Sequence, residues 1–291
     1  MPIKYRLPAD FRQKVPGTAT LEKMRSLSRM QINTVCREAK CPNFAECLSE
    51  NRLTFLILGN TCTRRCGFCS VTKAPNRRSL PLDPDEPKRI AELAQKMRLK
   101  YVVITSVTRD DLKDGGAAQF AKTIQAIRSI GMGIKVEALI PDFSGKTENL
   151  ETVINACPDV LAHNLETVKR LYEELRPGAS YDLSLGILKR IKEINSRLIT
   201  KSSLILGLGE TKEELIQSMR DLRKCGCDIL TLGQYLAPSE KHYPVKEFIA
   251  RERLNQYRDI GMNFGFRAVL AGPRVRSSYQ AEKIYSEVTY A

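Results

Sequence analysis

The chain lacks long apolar runs. No hydrophobic stretch in its 291 residues approaches the ~20 residues of a membrane-spanning helix. The N-terminal stretch MPIKYRLPADFRQKVPG has no apolar segment of the kind found in secretory signals. The cysteine count of nine is odd and the cysteines are clustered, which argues against a secreted disulfide scaffold. These features predict a cytoplasmic protein with reduced thiols and no membrane partner.

Acidic residues are fewer than basic ones. The chain has 47 Lys and Arg against 33 Asp and Glu, a formal net charge of +14. This surplus is typical of proteins that bind nucleic acid or an acidic protein, although an ordinary basic surface gives the same number. The sequence shows no nucleic-acid-binding module and no aromatic residues interleaved with a basic run, so we expect no nucleic-acid partner.

Short apolar runs alternate with amphipathic, charge-rich stretches. The predicted strands are Phe55–Leu58, Tyr101–Val107, Ile134–Leu139, Val160–Ala162, Ser203–Leu206 and Ile229–Leu232. The predicted helices between or after them are Pro87–Met97, Ala117–Ile130, Glu148–Ala156, Glu166–Leu175, Leu183–Asn195 and Lys212–Lys224. Six strand–helix units predict an α/β fold with a parallel sheet and helices outside it, and we expect one barrel-like domain.

Both ends of the chain fall outside this repeat. We expect an N-terminal extension over residues 1–53, the barrel over 54–235 and a C-terminal extension over 236–291. The C-terminal part predicts a Pro-containing loop at Gln234–Val245, a helix at Val245–Met262 and a last strand at Phe266–Val269. A monomer is expected.

Six cysteines form two sets of three. The first set is C-x4-C-x5-C and the second is C-x3-C-x2-C: Cys36, Cys41 and Cys47, then Cys62, Cys66 and Cys69. Three thiolates hold a cubane iron–sulfur cluster and leave one iron open to another ligand. The second set follows the first predicted strand, where parallel α/β folds carry their functional groups. Zinc would need a fourth Cys or His nearby, and both histidines lie far off in the sequence.

The second set resembles the signature loop of the radical S-adenosylmethionine (radical SAM) superfamily. The stretch is Cys62-Thr-Arg-Arg-Cys66-Gly-Phe-Cys69, with the aromatic Phe68 before the last cysteine. The resemblance implies a partial (β/α)6 barrel and a 4Fe–4S cluster on these cysteines. It also implies that the open iron binds the amino and carboxylate groups of S-adenosylmethionine, and that one electron yields a 5′-deoxyadenosyl radical.

Further stretches resemble the lipoyl synthase family within that superfamily, over about residues 35–279. They are Glu38-Ala39-Lys40-Cys41-Pro42-Asn43, Ser106-Val107-Thr108-Arg109-Asp110-Asp111, Asp114-Gly115-Gly116-Ala117, His163-Asn164-Leu165-Glu166-Thr167, Gly233-Gln234-Tyr235-Leu236 and Arg276-Ser277-Ser278-Tyr279. The resemblance implies radical insertion of two sulfur atoms at C6 and C8 of an octanoyl chain attached to a carrier-domain lysine. Those carbons are unactivated, so a carbon radical is needed to remove their hydrogens.

The first cysteine set completes this resemblance. It implies a second, auxiliary 4Fe–4S cluster on Cys36, Cys41 and Cys47 that is consumed as the sulfur source. A serine of the terminal tetrapeptide is implied as its fourth ligand, and a serine oxygen is a harder ligand than a thiolate. We expect Ser277 in this role, with Ser278 as the alternative. Arg276 is expected to steady the site or the substrate carbonyl.

The resemblance also implies contacts with S-adenosylmethionine. The expected residues are Phe68 beside the ligand, Asn164 and Glu166 at the ribose hydroxyls, and Ile205 on the adenine. Ser203 replaces the first glycine of the pattern Gly-x-Ile-x-Gly-x-x-Glu, which places a side chain where the backbone would approach the adenine. A helix N-terminus would explain Asn164 and Glu166 equally well. Ser106 or Thr108 is a candidate for the methionine moiety.

The implied partners are an octanoylated lipoyl carrier domain, a reducing electron donor and an iron–sulfur assembly or carrier protein. The basic charge suggests that an acidic carrier domain docks near the site. Two other functions fit the residues. One is another radical SAM sulfur-inserting enzyme, such as an RNA methylthiotransferase, and the other is a non-catalytic iron–sulfur or zinc protein. Cys225 and Cys227 are expected to be buried structural thiols.

Overall fold

The computed structural model describes residues 8, 11, 17–28, 30, 32–77 and 81–290. The N-terminal stretch 1–17, on which the expectation of no secretory signal rests, lies almost entirely outside the described residues. Within the described ranges, no helix combines the length and the apolar character needed to cross a membrane.

The described chain contains one large parallel sheet and one small one. The strands are β1 (Thr54–Ile57), β2 (Thr61–Cys62), β3 (Thr72–Lys73), β4 (Tyr101–Ser106), β5 (Lys135–Leu139), β6 (Val160–Ala162), β7 (Ile199–Leu206), β8 (Ile229–Gln234) and β9 (Ala268–Gly272). The large sheet has the order β1-β4-β5-β6-β7-β8-β9, with every neighbouring pair parallel. The short pair β2–β3 encloses the second cysteine set.

Of the described helices, three precede β1, seven lie between strands and one follows β9. They are α1 (Thr18–Ser28), α2 (Val35–Glu38), α3 (Phe44–Ser49), α4 (Glu86–Lys96), α5 (Ala117–Arg128), α6 (Thr147–Asn155), α7 (Tyr172–Leu175), α8 (Tyr181–Ile194), α9 (Lys212–Lys224), α10 (Arg251–Asn263) and α11 (Ala281–Tyr290). Local sequence sets their ends: Thr211 and Glu214 form a capping box that starts α9. In α4, Ile90, Leu93 and Ala94 recur at helical spacing and are buried.

The predicted strand–helix alternation is confirmed. All six predicted strands are present, and the strand predicted in the C-terminal extension is β9, which pairs with β8 and extends the sheet to seven strands in the described chain. Two helix predictions were wrong in extent. The segment 166–175 is α-helical only over Tyr172–Leu175, because Glu166 has a φ of 67° and bridges to Leu204. The helix predicted from Val245 begins at Arg251.

Helix α11 covers the N-terminal ends of the strands. Ala281 and Tyr285 pack with Tyr101, Val103 and Val160, and two further α11 residues pack with the first residues of β8 and β9. Beside this packing, the Lys201 ammonium lies 2.8 Å from the Glu137 carboxylate, and both side chains are 1% exposed. The opposite, C-terminal ends of the strands are therefore left to form the site.

Candidate active site

One cavity of about 530 Å³ is lined by the C-terminal ends of several strands and extends along β4 to Tyr101 and to Ala281 of α11. Strands contribute Ser106, Leu139, Ile205 and Gly233, and Asn164 follows β6. Residues of both chain extensions complete the wall, namely Cys36, Cys41, Cys47, Arg276, Ser277, Ser278 and Tyr279. The cavity thus brings together most of the site residues predicted from the sequence.

The first cysteine set converges on this cavity. Thr34 caps α2, which carries Cys36, and α3 carries Cys47. Burial, together with the charges of Cys36 and Cys41, raises the pKa of Cys47 to about 12, and Cys41 also acts on Cys36, so the three sulfurs are mutual neighbours. Burial also raises the pKa of Cys36 to about 11.

The second set runs from the end of β2 into the loop before β3. Cys62 is the last residue of β2, Cys66 and Cys69 lie in the loop, and Cys69 lines the cavity. Burial raises the pKa of Cys66, and the charges of Cys69 and Cys62 add to it. The backbone N–H of Thr108 donates to the Cys62 sulfur at 3.3 Å, a contact of the kind that tunes cluster thiolates.

These features fit a pair of iron–sulfur clusters. All six cysteines are free thiols, and each set holds three sulfurs near one another. A cubane cluster needs three or four cysteine ligands on separate irons. Among the described residues, no group of three His, Cys, Asp or Glu side chains is arranged around a single metal ion.

An ion-pair network holds the second cysteine loop. Arg64, between Cys62 and Cys66, makes paired hydrogen bonds to Asp142 and to Asp110. Thr63 donates to Asp110 at 3.0 Å. Burial raises the pKa of Asp142, but the hydrogen bonds and charge of Arg64 outweigh it, and the pKa lies below its usual value. Asp110, in the stretch Ser106–Asp111, and Asp142, after β5, therefore brace the cysteine loop.

Asn164 and Glu166 face the cavity from the end of β6. The Asn164 amide donates from Nδ2 to Glu166 Oε1 at 2.9 Å. The alternative explanation, that Asn164 and Glu166 mark the start of a helix, was wrong. The next helical turn starts at Lys169, and its N-cap residue makes no side-chain hydrogen bond. Burial raises the pKa of Glu166, while Arg176 and Asn164 oppose this.

Apolar and turn residues complete this side. Phe68, Ser203 and Ile205 line the cavity, and Phe68 and Ile205 belong to a cluster with Val168 and Leu171. After β7, Glu210 accepts the backbone N–H groups of Gly207 at 2.7 Å and Leu208 at 2.9 Å. The glutamate of the Gly-x-Ile-x-Gly-x-x-Glu pattern therefore fixes the turn beside the cavity.

Arg176 was missed by sequence reasoning. Its guanidinium donates to the backbone carbonyls of Asn164 at 3.2 Å and Leu165 at 3.1 Å. Its charge lowers the pKa of both Cys66 and Glu166, so it lies between the cysteine loop and the end of β6. In the sequence it is one of 47 basic residues in no recognised motif, and only the fold reveals its place.

The two C-terminal serines face different partners. The Ser277 hydroxyl donates to Asn164 Oδ1 at 2.9 Å. The Ser278 hydroxyl accepts from Thr54 Oγ1 at 2.8 Å, and the backbone N–H of Thr54 acts on the Cys36 sulfur. Ser278 therefore lies on the side of the first cysteine set. Arg276 belongs to the same segment, and its charge lowers the pKa of Cys41.

Known proteins share this fold and sequence pattern. The model of the radical SAM superfamily matches residues 56–222, and the chain belongs to that superfamily. Among solved structures, an FeFe-hydrogenase maturase gives a TM-score of 0.61 at 16% identity, covering 81% of this chain and 54% of its own. Methylornithine synthase gives 0.58 at 16% identity, covering 81% of this chain and 68% of its own. These likenesses show the fold, an α/β barrel of parallel strands as predicted.

Within the superfamily the chain belongs to the lipoyl synthase family. It is 51% identical to the lipoyl synthase of Caldanaerobacter subterraneus subsp. tengcongensis, over 88% of this chain and 89% of that protein. It is 47% identical to that of Thermus thermophilus, over 99% of this chain and 89% of that protein. The resemblance inferred from the motifs is thereby confirmed. Radical SAM membership implies S-adenosylmethionine and a 4Fe–4S cluster as cofactors.

Proposed function

We propose that this protein inserts two sulfur atoms, at C6 and C8, into an octanoyl group carried on a lysine of a lipoyl carrier domain. The observation that carries the proposal is one shared cavity, which is lined by all three cysteines of the first set, by Cys69 of the second set and by Ser277 and Ser278. When bound, the cluster on the second set and S-adenosylmethionine supply a carbon radical, and an auxiliary 4Fe–4S cluster supplies sulfur.

The chain's own residues divide the cavity into two sides. On one side Cys62, Cys66 and Cys69 hold a cluster through the braced loop. The polar ends of Asn164 and Glu166 match ribose hydroxyls, whose donors and acceptors they can satisfy. Phe68 and Ile205 offer apolar surface for the adenine and exclude water around it. Arg176 holds the backbone at the end of β6 in place through the Asn164 and Leu165 carbonyls.

On the other side Cys36, Cys41 and Cys47 hold the auxiliary cluster. We propose a serine as its fourth ligand, and the contacts favour Ser278 over Ser277, the serine expected from the sequence. Thr54 links Ser278 to the neighbourhood of Cys36, whereas the Ser277 hydroxyl is directed to Asn164. The positive charge of Arg276 favours the thiolate of Cys41 and so steadies this side.

The substrate fits the space between the two sides. Leu56, Val103 and Leu139 line the cavity and offer apolar contact to an alkyl chain. A lysine-bound chain must enter with its carrier outside, which calls for a docking surface at the mouth. Lys40 and Arg52 are two basic residues that line the cavity, and Arg52 pairs with Glu50. We propose an acidic carrier domain as the docking partner. An electron donor and an iron–sulfur carrier protein are proposed as further partners.

An anaerobic assay tests the proposed function. The reconstituted enzyme is expected to hold about eight iron and eight sulfide per chain, as two cubane clusters require. With S-adenosylmethionine, a reductant and an octanoylated carrier peptide, it should release 5′-deoxyadenosine and form the doubly thiolated chain. The matched control is Cys36→Ala, which should retain cleavage of S-adenosylmethionine and lose thiolation. A fully loaded enzyme that cleaves S-adenosylmethionine without thiolating the peptide would refute the proposal.

A further inference from the structure

Residues 274–279, the C-terminal serine segment, contact helix α3 through one carboxylate. Glu46 accepts the Tyr279 hydroxyl at 2.7 Å through Oε1 and the Arg274 guanidinium at 2.6 Å through Oε2. Asn43, buried at the start of the same helix, donates to the Arg274 carbonyl at 2.6 Å. The helix that carries Cys47 thus holds the serine segment at both ends.

The opposite side of the segment rests on β8. A Cβ added at Gly233 would lie 2.0 Å from the Val275 carbonyl oxygen and 2.9 Å from its carbon. Any side chain at this position would therefore displace the segment. Arg276 adds a hydrogen bond from its guanidinium to the Gln234 carbonyl at 3.1 Å. The serine segment is enclosed between α3 and the sheet.

None of these contacts uses a cysteine sulfur or a serine hydroxyl. The segment is therefore held by groups that an iron–sulfur cluster does not occupy. An auxiliary cluster that gives up its sulfur loses its iron–serine bond, and a broken bond cannot keep the serine in place. The contacts of the segment with α3 and β8 would remain. Residues Arg274 and Tyr279 flank the serines, so fixing both fixes the stretch between them.

We propose that Glu46 is a positioning residue of the auxiliary site. Acting through Tyr279 and Arg274, it keeps the serines beside Cys36, Cys41 and Cys47 whether or not iron is bound. This inference rests on the proposed function, since it concerns the ligand set of the auxiliary cluster. Glu46 itself touches neither substrate nor reacting atoms in this role.

Hydrogen exchange of the metal-free protein tests the positioning directly. The amide N–H of Val275 is hydrogen-bonded to Gly272 and that of Tyr279 to Arg276, so both report on the segment. In Glu46→Ala we expect exchange at these amides to be at least about ten-fold faster, because the restraints at both ends are weakened. The matched control is Glu50→Ala, at the end of the same helix, where the carboxylate pairs with Arg52. The control should leave both amides unchanged.

Spectroscopy of the loaded enzyme gives the second readout. In Glu46→Ala the cluster on the second cysteine set should still support cleavage of S-adenosylmethionine within about two-fold of wild type. The electron paramagnetic resonance signal of the auxiliary cluster should change, and thiolated product should fall about ten-fold or more, as for losses of supporting contacts around metal ligands. Tyr279→Phe should act in the same direction, and the double variant should be no worse than Glu46→Ala because one contact is shared.

The outcomes separate the two proposals. If wild type cleaves S-adenosylmethionine and never thiolates, the proposed function fails, and exchange in Glu46→Ala still reports whether Glu46 holds the serine segment. If wild type thiolates and Glu46→Ala matches it in exchange, spectrum and product, the positioning role is refuted. Tyr279→Phe removes a single hydroxyl, so it decides the question if Glu46→Ala does not fold. Unchanged exchange in Tyr279→Phe would then refute the role.

Discussion

Ser277 and Ser278 are neighbours in sequence with different surroundings, and substitution should separate them. Ser278→Ala removes the hydroxyl that faces Thr54 and the first cysteine set. We expect thiolated product to fall by about 10–100-fold, the loss typical when a group that supports a metal site is removed. Cleavage of S-adenosylmethionine should be nearly unchanged. The measurement is product and 5′-deoxyadenosine formation in the same anaerobic reaction.

Ser277→Ala is the matched control for this prediction. It removes one hydrogen bond to Asn164, worth about 1 kcal/mol, so we expect a rise of about five-fold in the KM for S-adenosylmethionine and little loss of the auxiliary cluster. The opposite pattern, with Ser277→Ala losing the auxiliary signal, would assign the ligand role to Ser277.

The site residues that could be predicted from the sequence are those whose side chains have a specific chemistry or belong to a short motif. The six cysteines were found because thiolate spacing constrains what can bind. Asn164 and Ile205 were found through short motifs, and both line the cavity. Glu46 and Arg176 were missed because carboxylates and guanidinium groups occur all over protein surfaces. Their partners, Tyr279 and the Asn164 carbonyl, are fixed only by the fold.

Arg64 ties the second cysteine loop to Asp110 in the loop after β4 and to Asp142 in the loop after β5, and Asp142→Asn should weaken this brace. Asp142 is 1% exposed and pairs with Arg64, so the substitution leaves Arg64 without its buried anionic partner. Breaking such a pair typically costs about 3–5 kcal/mol. We expect a lower Tm, weaker retention of the cluster on Cys62, Cys66 and Cys69, and slower cleavage of S-adenosylmethionine. Iron analysis and thermal unfolding measure these effects.

A surface pair gives the control for this brace. Asp182 pairs with Lys169 at 3.0 Å, but the two side chains are 71% and 69% exposed. Exposed pairs contribute about 0–1 kcal/mol, so Asp182→Asn should leave Tm and cluster retention close to wild type. Equal effects of Asp142→Asn and Asp182→Asn on Tm and cluster retention would show that the buried ion pair of Asp142 stabilises the cysteine loop no more than a surface pair does.

The direction of the Asp142 pKa shift fixes the pH dependence of the brace. Because the folded pKa is depressed, the stabilisation is fully present above the unfolded value of about 3.9. It is lost only as the pH falls through the lower, folded pKa. The Tm difference between wild type and Asp142→Asn should therefore be constant from about pH 5 to pH 8. A difference that fades across this range would contradict the ion-pair account.

Strands and helices were predictable where side-chain periodicity alone decides them. The strand at Val160–Ala162 and the helix at Lys212–Lys224 match their predicted bounds because apolar spacing and a capping box set them locally. The segment 166–171 was not predictable, since Glu166 takes a positive φ to bridge to Leu204. Tertiary pairing overrides helix propensity there.

The two ends of the chain meet at the cavity although they are far apart in sequence. Thr54 and Ser278 are 224 residues apart, and Glu46 and Tyr279 are 233 residues apart. Helix α11 then covers the other end of the barrel. The motifs predicted that the tetrapeptide belongs with the first cysteine set, but not which side chains join them. Our division at residues 53 and 235 remains a prediction, and β9 shows that the last part also completes the sheet.

The net charge of +14 gives a prediction about docking of the carrier. If an acidic carrier domain binds the basic surface near Lys40, the KM for the octanoylated domain should rise with salt. Screening shortens the Debye length from about 10 Å at 0.1 M to about 3 Å at 1 M, so we expect a rise of about ten-fold across that range. Steady-state kinetics at constant S-adenosylmethionine measures it.

An uncharged octanoyl-lysine peptide is the control for the salt series. It reaches the same cavity without an acidic surface, so its KM should change by less than about two-fold over the same range. The double charge reversal Lys40→Glu and Arg52→Glu should raise the KM for the domain more than for the peptide, since both residues line the cavity. A KM for the domain that is indifferent to salt would mean that shape and the octanoyl chain select the carrier, and that the basic surface has no part in docking.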